Sequence, residues 1–209
     1  MQIDPDQVLW STPEPERAGR PLLVMLHGHN SNEQVGFELR HQLPGELVLA
    51  SVRAPMTATG GYAWFRLDPA VAVDQANAVA RSVLDWLDTL PAVPSIGLLG
   101  FSQGAATGLQ VLRAAPERFA YAVNLSGFVV PGRAPGDRAL QADPPPVFWG
   151  RGDSDPIIPD FLVTLSRAWL TSHTRLSEKV YPGLSHFVNE TELADLSRFL
   201  VQQLRPRGR

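Results

Sequence analysis

The sequence predicts an α/β domain in which a mostly parallel sheet is covered by helices on both faces. Short apolar runs alternate along the chain with longer amphipathic segments, as in βαβ units. The runs are continuously hydrophobic, which is typical of strands that are buried on both faces. The chain has 209 residues, 44% of them hydrophobic, and we expect residues 1–209 to form a single domain with a large core.

The strands and helices follow one another in an order that suits such a sheet. The predicted strands are Pro21–Leu26, Leu47–Val52, Ile96–Leu99, Tyr121–Leu125, Val147–Trp149 and Glu178–Tyr181. The predicted helices are Val71–Leu90, Gln103–Ala115, Pro159–Leu170 and Asn189–Leu204. Asn189 and Glu192 have the spacing of a capping box at the start of the last helix. The stretch Val130–Pro146, rich in proline and glycine, is predicted to be a surface excursion within the domain.

Composition excludes several classes of function. The absence of cysteine excludes disulfides, thiolate metal sites and a cysteine nucleophile. Eighteen basic and 21 acidic residues give a net charge of −3, and the basic tail Arg205–Arg209 is interpreted as a frayed terminus, so we expect no nucleic-acid partner. No run approaches the roughly 20 apolar residues of a membrane span. Met1–Asp6 lacks the features of a signal peptide, and a cytoplasmic location is expected.

The pattern Gly100-Phe101-Ser102-Gln103-Gly104 places a serine between a predicted strand and a predicted helix. This is the arrangement of a nucleophile elbow, in which a strained serine sits on a sharp turn flanked by glycines. The helix that follows directs its positive end and the amide of Gln103 toward whatever Ser102 attacks. Ser102 is therefore the candidate nucleophile.

A serine nucleophile needs a base, and the base needs an orienting acid, in the chain order Ser, Asp or Glu, His. The strand Val147–Trp149 is followed by a loop with two candidate acids, Asp153 and Asp155. We favour Asp155, because Pro156 biases it toward an extended backbone, and we interpret Asp153 as a turn residue. The next strand leads to His186, the candidate base.

The other histidines have less specific interpretations. His27 and His29 form a His-Gly-His sequence, but two histidines without a third ligand make a poor metal site, so no metal is predicted. His27 is given a structural role, and the amide of His29 or its neighbour is expected to complete an oxyanion hole with Gln103. We interpret His41 as lying at the polar end of a helix and His173 as lying in a polar loop.

Five motifs together carry a resemblance to a known family. They are Leu26-His27-Gly28 followed by Ser31-Asn32-Glu33, then Trp64-Phe65, Gly100-Phe101-Ser102-Gln103-Gly104, Gly152-Asp153-Ser154-Asp155-Pro156 and Gly183-Leu184-Ser185-His186. With them, the chain resembles the phospholipase/carboxylesterase family of α/β-hydrolases, which includes the acyl-protein thioesterases. The resemblance implies Ser102 as nucleophile, Asp155 as acid, His186 as base and the amides of His29 and Gln103 as oxyanion donors. It also implies the compact fold without a large cap domain, and no cofactor.

The chain departs from the family pattern at four positions near the implied site. Asn30 stands where the family usually has glycine, and asparagine tolerates a positive φ better than most residues. Arg151 replaces a common histidine, Arg66 a common acid, and Phe187 a small polar residue. These departures bear on substrate preference, not on the implied catalytic residues.

The resemblance also places aromatic residues of the segment 60–65 beside the active site. From it we expect Tyr62 and Trp64 to form a lid or a wall of the acyl pocket, whereas Phe65 suits the core equally well. The remaining pocket candidates are Phe128, Val129 and Phe187. An apolar pocket with few charges fits neutral acyl substrates.

The function predicted from these residues is that of a serine carboxylesterase, acting on short- to medium-chain acyl esters through an acyl-enzyme. Acyl-protein thioesterase or lysophospholipase activity on the same residues is the alternative, and the expected partner is a small-molecule ester or thioester. A non-catalytic binding protein on this fold is the rival from another class. The resemblance is compatible with a monomer or a homodimer.

Overall fold

A seven-stranded sheet lies at the centre of the computed structural model, which describes residues 1–205. The strands of the described residues are β1 (Leu9–Trp10), β2 (Leu22–Leu26), β3 (Val48–Val52), β4 (Met56–Ala58), β5 (Gly61–Ala63), β6 (Ile96–Phe101), β7 (Tyr121–Leu125), β8 (Pro146–Gly152) and β9 (Arg175–Tyr181). In the main sheet the order is β1-β3-β2-β6-β7-β8-β9, while β4 and β5 form a separate hairpin. Only β1 runs antiparallel to its neighbour in the main sheet; the other pairs are parallel.

Helices cover both faces of this sheet. They are α1 (Glu33–Phe37), α2 (Ala72–Asp88), α3 (Gln103–Ala114), α4 (Asp137–Ala142), α5 (Asp160–His173) and α6 (Glu190–Leu204). A hydrophobic core lies on each face of the sheet. Strand β2 contributes side chains to both cores, because successive side chains of a strand point to opposite faces. Leu22, Val24 and Leu26 belong to the core on the face covered by α2, α3 and α5, whereas Leu23 and Met25 belong to the core on the face covered by α6.

The predicted elements are confirmed with small shifts of their ends, and the parallel, doubly covered sheet is confirmed as well. Strand β9 begins three residues before the predicted Glu178–Tyr181. It lies at the edge of the sheet and its exposed and partly buried residues alternate, so its first residues do not form an apolar run. The sequence analysis missed β1, α1, α4 and the β4–β5 hairpin, because these elements are too short to show a hydrophobic periodicity. The interpretation of His173 is wrong: it is the last residue of α5, nearly buried and stacked on Trp169 at 4.5 Å between ring centroids.

The excursion 130–146 carries a short helix, α4, and is tied to the domain by one buried arginine. Arg113 is 1% exposed and donates to the carbonyl oxygens of Val130 at 2.8 Å and Gly132 at 2.6 Å. It also forms a bidentate ion pair with Asp137. The excursion is therefore an ordered part of the fold. Of the basic tail, residues 206–209 lie outside the described residues.

Candidate active site

Ser102 lies on the turn between β6 and α3 with φ 54° and ψ −120°, a conformation that non-glycine residues rarely adopt. The turn has no room for side chains on either side. A Cβ at Gly100 would come within 2.4 Å of the backbone of Ala105, and a Cβ at Gly104 within 2.1 Å of the carbonyl oxygen of Leu26. The two glycines of the motif are therefore required by close backbone approach.

Three side chains from three strand ends meet at this turn. The Oγ of Ser102 lies 2.9 Å from Nε2 of His186, and Nδ1 of the same ring lies 2.7 Å from Oδ2 of Asp155. The other oxygen of Asp155 accepts from the amides of Ile157 at 2.8 Å and Ile158 at 3.3 Å, which fixes the carboxylate. The geometry allows the imidazole to accept a proton from the serine while the carboxylate holds its Nδ1–H.

The second acid of the loop has a different position. Asp153 accepts from the amide of Gly183 at 2.7 Å and from the hydroxyl of Ser154 at 2.9 Å. The backbone hydrogen bond from Gly183 keeps the pKa of Asp153 below its usual value. Asp153 thus joins the loop after β8 to the loop after β9, and Asp155 is the acid that contacts His186.

His27 is buried and both of its ring nitrogens have partners. Nδ1 lies 2.7 Å from the carbonyl oxygen of Gly28, and Nε2 accepts from the amide of Ala54 at 3.1 Å. Burial lowers the pKa of His27, which agrees with a neutral ring that donates at Nδ1 and accepts at Nε2. This ring has no free lone pair for a metal, and residues 1–205 hold no group of three candidate metal ligands.

The two predicted oxyanion donors lie on adjacent backbone segments. The amide of Gln103 starts α3, the amide of His29 belongs to the loop after β2, and neither donates to another described residue. Because Gly104 approaches the carbonyl groups at the end of β2, the two segments are in contact. Asn30 adopts φ 57°, so the chain keeps a left-handed residue where the family usually has glycine.

The side chain of Gln103 has a role that the sequence analysis missed. Its Oε1 accepts from the amide of Trp64 at 2.9 Å, and its Nε2 donates to the carbonyl oxygen of Phe65 at 2.6 Å. The indole of Trp64 in turn donates to the carbonyl oxygen of His27 at 2.7 Å. These bonds tie the segment after β5 to the nucleophile turn and to the oxyanion loop.

The prediction that Trp64, Phe65 and Val129 line the pocket is wrong, because all three are buried in the core. Trp64 and Phe65 are 0% and 2% exposed and belong to the core, since their backbone and indole groups bond inward. Val129 is also buried, and its amide donates to the hydroxyl of Ser166. Tyr62 packs beneath the guanidinium of Arg53, whose carbon lies 4.7 Å from the ring centroid. Phe128 packs against the core.

An apolar cavity of about 320 Å³ opens beside Ser102 and His186, on the β2 side of the nucleophile. Apart from the oxyanion loop, its walls come from β2, β6, α1, the 3₁₀ turn after α1 and the loop that carries His186. Its apolar lining side chains are Met25, Val35, Leu39, Leu99, Phe101, Phe187 and Val188. Of the predicted pocket residues, Phe187 lies in this lining; it is 68% exposed and forms the mouth.

Known proteins share both the sequence pattern and the fold. Residues 11–204 match the phospholipase/carboxylesterase family. Acyl-protein thioesterase 1 of Saccharomyces cerevisiae is 30% identical over 166 residues, covering 71% of this chain and 73% of its own. The crystal structure of esterase PE8 has a TM-score of 0.78 at 21% identity, covering 98% of this chain and all of its own. Zea mays acyl-protein thioesterase 2 has a TM-score of 0.74 at 23% identity, covering 95% of this chain and 99% of its own.

Among residues 1–205, none of the helices has the length and hydrophobicity of a membrane-spanning segment.

The family match spans almost the whole described chain, and the solved relatives share the sheet and its helices. The chain therefore belongs to the phospholipase/carboxylesterase family of α/β-hydrolases, and it is a serine hydrolase.

Proposed function

We propose that this protein is a carboxylesterase that hydrolyses short- to medium-chain acyl esters through an acyl-enzyme on Ser102. One observation carries the proposal: the ring of His186 bridges the hydroxyl of Ser102 and the carboxylate of Asp155 with two hydrogen bonds of normal length. This geometry activates a serine that is otherwise a poor nucleophile at neutral pH.

In the first step Oγ of Ser102 attacks the substrate carbonyl carbon while Nε2 of His186 takes the hydroxyl proton. The carbonyl oxygen becomes an oxyanion, and the amides of His29 and Gln103 donate to it. When the C–O bond to the leaving group breaks, His186 returns the proton to the leaving alcohol. The acyl group remains bound to Ser102 as an ester.

In the second step water replaces the alcohol. His186 takes a proton from the water, whose oxygen attacks the acyl carbon, and the oxyanion forms again at the same two amides. The tetrahedral intermediate then collapses, the bond to Oγ breaks, and Ser102 regains its proton from His186. Asp155 keeps its charge throughout and stabilises the imidazolium that forms in both steps.

The acyl preference follows from the apolar cavity. Its volume of about 320 Å³ lies at the low end of the roughly 300–1,000 Å³ of small-molecule sites. Its lining holds no Asp, Glu, Lys or Arg, and its polar residues are Ser31, Ser102 and the three histidines His27, His29 and His186. A short or medium alkyl chain fits this space and gains the free energy of apolar burial.

A thioesterase is the second candidate, because the Saccharomyces cerevisiae relative is named acyl-protein thioesterase 1. Ser102, activated by His186 and Asp155, would attack a simple ester, a thioester or a lysophospholipid in the same way, since all three present an acyl carbonyl. Values of kcat/KM for matched butyryl esters, butyryl thioesters and lysophosphatidylcholine separate these activities. A higher value for the thioester than for the ester would reverse the order of the two candidates.

The direct test is labelling by a fluorophosphonate, which reacts with activated serines, combined with a chain-length series of p-nitrophenyl esters. We expect the wild type to be labelled and Ser102→Ala to lose both labelling and about 10⁴-fold or more in kcat/KM. Ser172→Ala, an exposed serine on α5, is the matched control and should keep both. Folded wild-type protein that is not labelled would favour a non-catalytic binding protein instead.

A further inference from the structure

A second cavity, which we call the polar cleft, opens at the same edge of the sheet as the active site. It measures about 260 Å³ and lies between the loops after β7 and β8 and the first half of α5. Its lining includes Ser126, Gly127, Arg151 and Asp155. Because the volume is below the usual range for whole ligands, the cleft suits one group of a substrate.

The polar cleft adjoins the reacting residues. Asp155, which holds His186, is one of its lining residues. Gly127 lies beside the nucleophile turn, since a Cβ there would come within 3.0 Å of the carbonyl oxygen of Ser102. The apolar cavity lies on the other side of Ser102, toward β2. The carbonyl carbon of an ester carries an acyl chain and an alcohol group. If the acyl chain lies in the apolar cavity, the alcohol group points toward the β8 side.

Ser126 has a buried hydroxyl without a hydrogen-bond partner, on a backbone that hydrogen bonds hold in place. It is 1% exposed, and its Oγ has no partner among residues 1–205. Its φ of 47° is held by two bonds: its amide donates to Gly150 at 2.8 Å, and the amide of Gly127 donates to Oδ1 of Asn124 at 2.9 Å. A buried polar group without a partner is unusual in a native structure and calls for a ligand or water.

Arg151 adds donors to the same cleft. Its Nε is buried without a hydrogen bond, 3.6 Å from the carboxylate of Glu178, and its Nη1 makes a long bond of 3.3 Å to the carbonyl oxygen of Gly152. Its guanidinium lies over the ring of Trp149 at 5.4 Å, which holds it in place. Arg167, by contrast, donates from Nε and Nη2 to the carboxylate of Glu178 in a bidentate pair. Arg151 has no such bidentate pair, so it keeps more of its hydrogen-bonding capacity for a ligand than Arg167 does.

The charges around the cleft decide which alcohol fits. An anionic group would meet the carboxylates of Asp153, Asp155 and Asp160, and a cationic group would meet Arg151 and Arg167. A neutral group that both donates and accepts avoids both conflicts. Hydroxyl groups do this: they accept from the guanidinium and donate to carboxylates and serine.

We propose that the polar cleft binds the alcohol part of the substrate, and that this part is neutral and rich in hydroxyl groups, as in a glycerol or sugar ester. The proposal rests on the esterase function proposed above. It assigns Ser126 and Arg151 the role of recognising the leaving alcohol, and it leaves the acyl group to the apolar cavity.

The test compares butyrate esters that differ in the alcohol alone: ethyl butyrate, 1-butyrylglycerol, butyrylcholine and O-butyrylglycolate, with p-nitrophenyl butyrate as the activated reference. We expect kcat/KM for the glycerol ester to exceed that for the ethyl ester by roughly tenfold, the effect of one or two added hydrogen bonds. Equal values for these two esters, or a preference for the cholinium or glycolate ester, would overturn the proposal. A wild type inactive even on p-nitrophenyl butyrate would refute the esterase function itself.

Substitutions locate the effect in the cleft. Ser126→Ala and Arg151→Leu should each lower the ratio of kcat/KM for the glycerol ester to that for the ethyl ester by roughly three- to tenfold. Arg138→Leu, an exposed arginine on α4, is the matched control and should keep the wild-type ratio. Using a ratio within one enzyme removes any effect of the substitution on folding or on the chemical step. Wild-type ratios in both cleft variants would overturn the assignment.

Discussion

The two sides of Ser102 differ in chemistry although they lie at one edge of one sheet. Toward β2 the wall of the site is apolar, with side chains such as Met25 and Leu99 that also belong to the core. Toward β8 the wall consists of hydrogen-bonding and charged groups from the end of β8, the loop after it and α5, among them Arg151 and Asp155.

The difference shows how one edge of such a sheet can provide an apolar wall and a polar wall next to each other. On the β2 side, core residues of the strands themselves reach the cavity between the sheet and the short helix α1. On the β8 side, the last residues of β8 and the loop after it form the wall, and this loop has to satisfy its own backbone with polar side chains. A substrate that spans both sides therefore meets an apolar wall at one end and a polar wall at the other.

The largest expected effect concerns the acids of the polar side. Asp155→Asn should lower kcat about 10⁴-fold, because an amide no longer holds the correct tautomer of His186. Asp153→Asn should leave kcat nearly unchanged, since Asp153 bonds to the amide of Gly183 and not to the histidine. Steady-state kinetics on p-nitrophenyl butyrate, with circular dichroism to check folding, measures both. The reverse pattern would refute the choice of acid.

The next effect concerns a buried carboxyl behind the polar side. Glu192 is 0% exposed on α6 against the backbone of Gly150, and neither of its oxygens has a hydrogen bond of normal geometry. Asn189 caps the helix by accepting from the amide of Glu192 at 2.8 Å, so only half of the predicted capping box forms. Burial raises the pKa of Glu192 from 4.5 to about 7, with repulsion from Asp195 adding to the effect.

A pKa that is higher in the folded state makes the protein less stable as the pH rises from the unfolded value to the folded one. The free energy of unfolding should thus fall by about 3 kcal/mol between pH 4.5 and pH 7.5, relative to Glu192→Gln. Urea denaturation over this pH range measures the difference. Glu190→Gln, exposed in the same helical turn, is the matched control and should parallel the wild type. A Glu192→Gln curve that parallels the wild type would contradict the raised pKa.

The smallest effect tests the apolar side. Leu39 lines the apolar cavity, and Leu39→Trp should fill part of it. We expect kcat/KM for p-nitrophenyl octanoate to fall about tenfold relative to the acetate, because about two methylene groups lose their apolar contact. Leu165→Trp, on the exposed face of α5, should keep the wild-type chain-length profile. An equal loss for every chain length would mean that the cavity does not hold the acyl group.

The longer strands, the longer helices and the residues of the nucleophile turn could be predicted because their signals are local. Apolar runs mark buried strands, and the glycines around Ser102 are required by backbone approach that any such turn demands. The order of Ser102, Asp155 and His186 along the chain follows from the parallel sheet, which brings successive strand ends to one edge. The left-handed conformation of Asn30 is compatible with the sequence, because asparagine tolerates a positive φ better than most residues.

The pocket could not be predicted in this way. Trp64 and Phe65 have the composition of a pocket wall, but the side chain of Gln103 bonds to their backbone and draws them into the core. The residues that line the apolar cavity come from segments far apart in the chain, and nothing local distinguishes Leu39 from any other core leucine.

The sequence by itself determined the fold class, the nucleophile turn and the chain order of the candidate catalytic residues. Hydrophobic periodicity, glycine placement and the position of each motif along the chain are all properties of the sequence. Only the tertiary structure decided that Asp155 rather than Asp153 meets His186, and that the site is apolar on one side and polar on the other. Those outcomes depend on which side chains the sheet brings within a few ångströms of one another, and distances between remote segments exist only once the chain has folded.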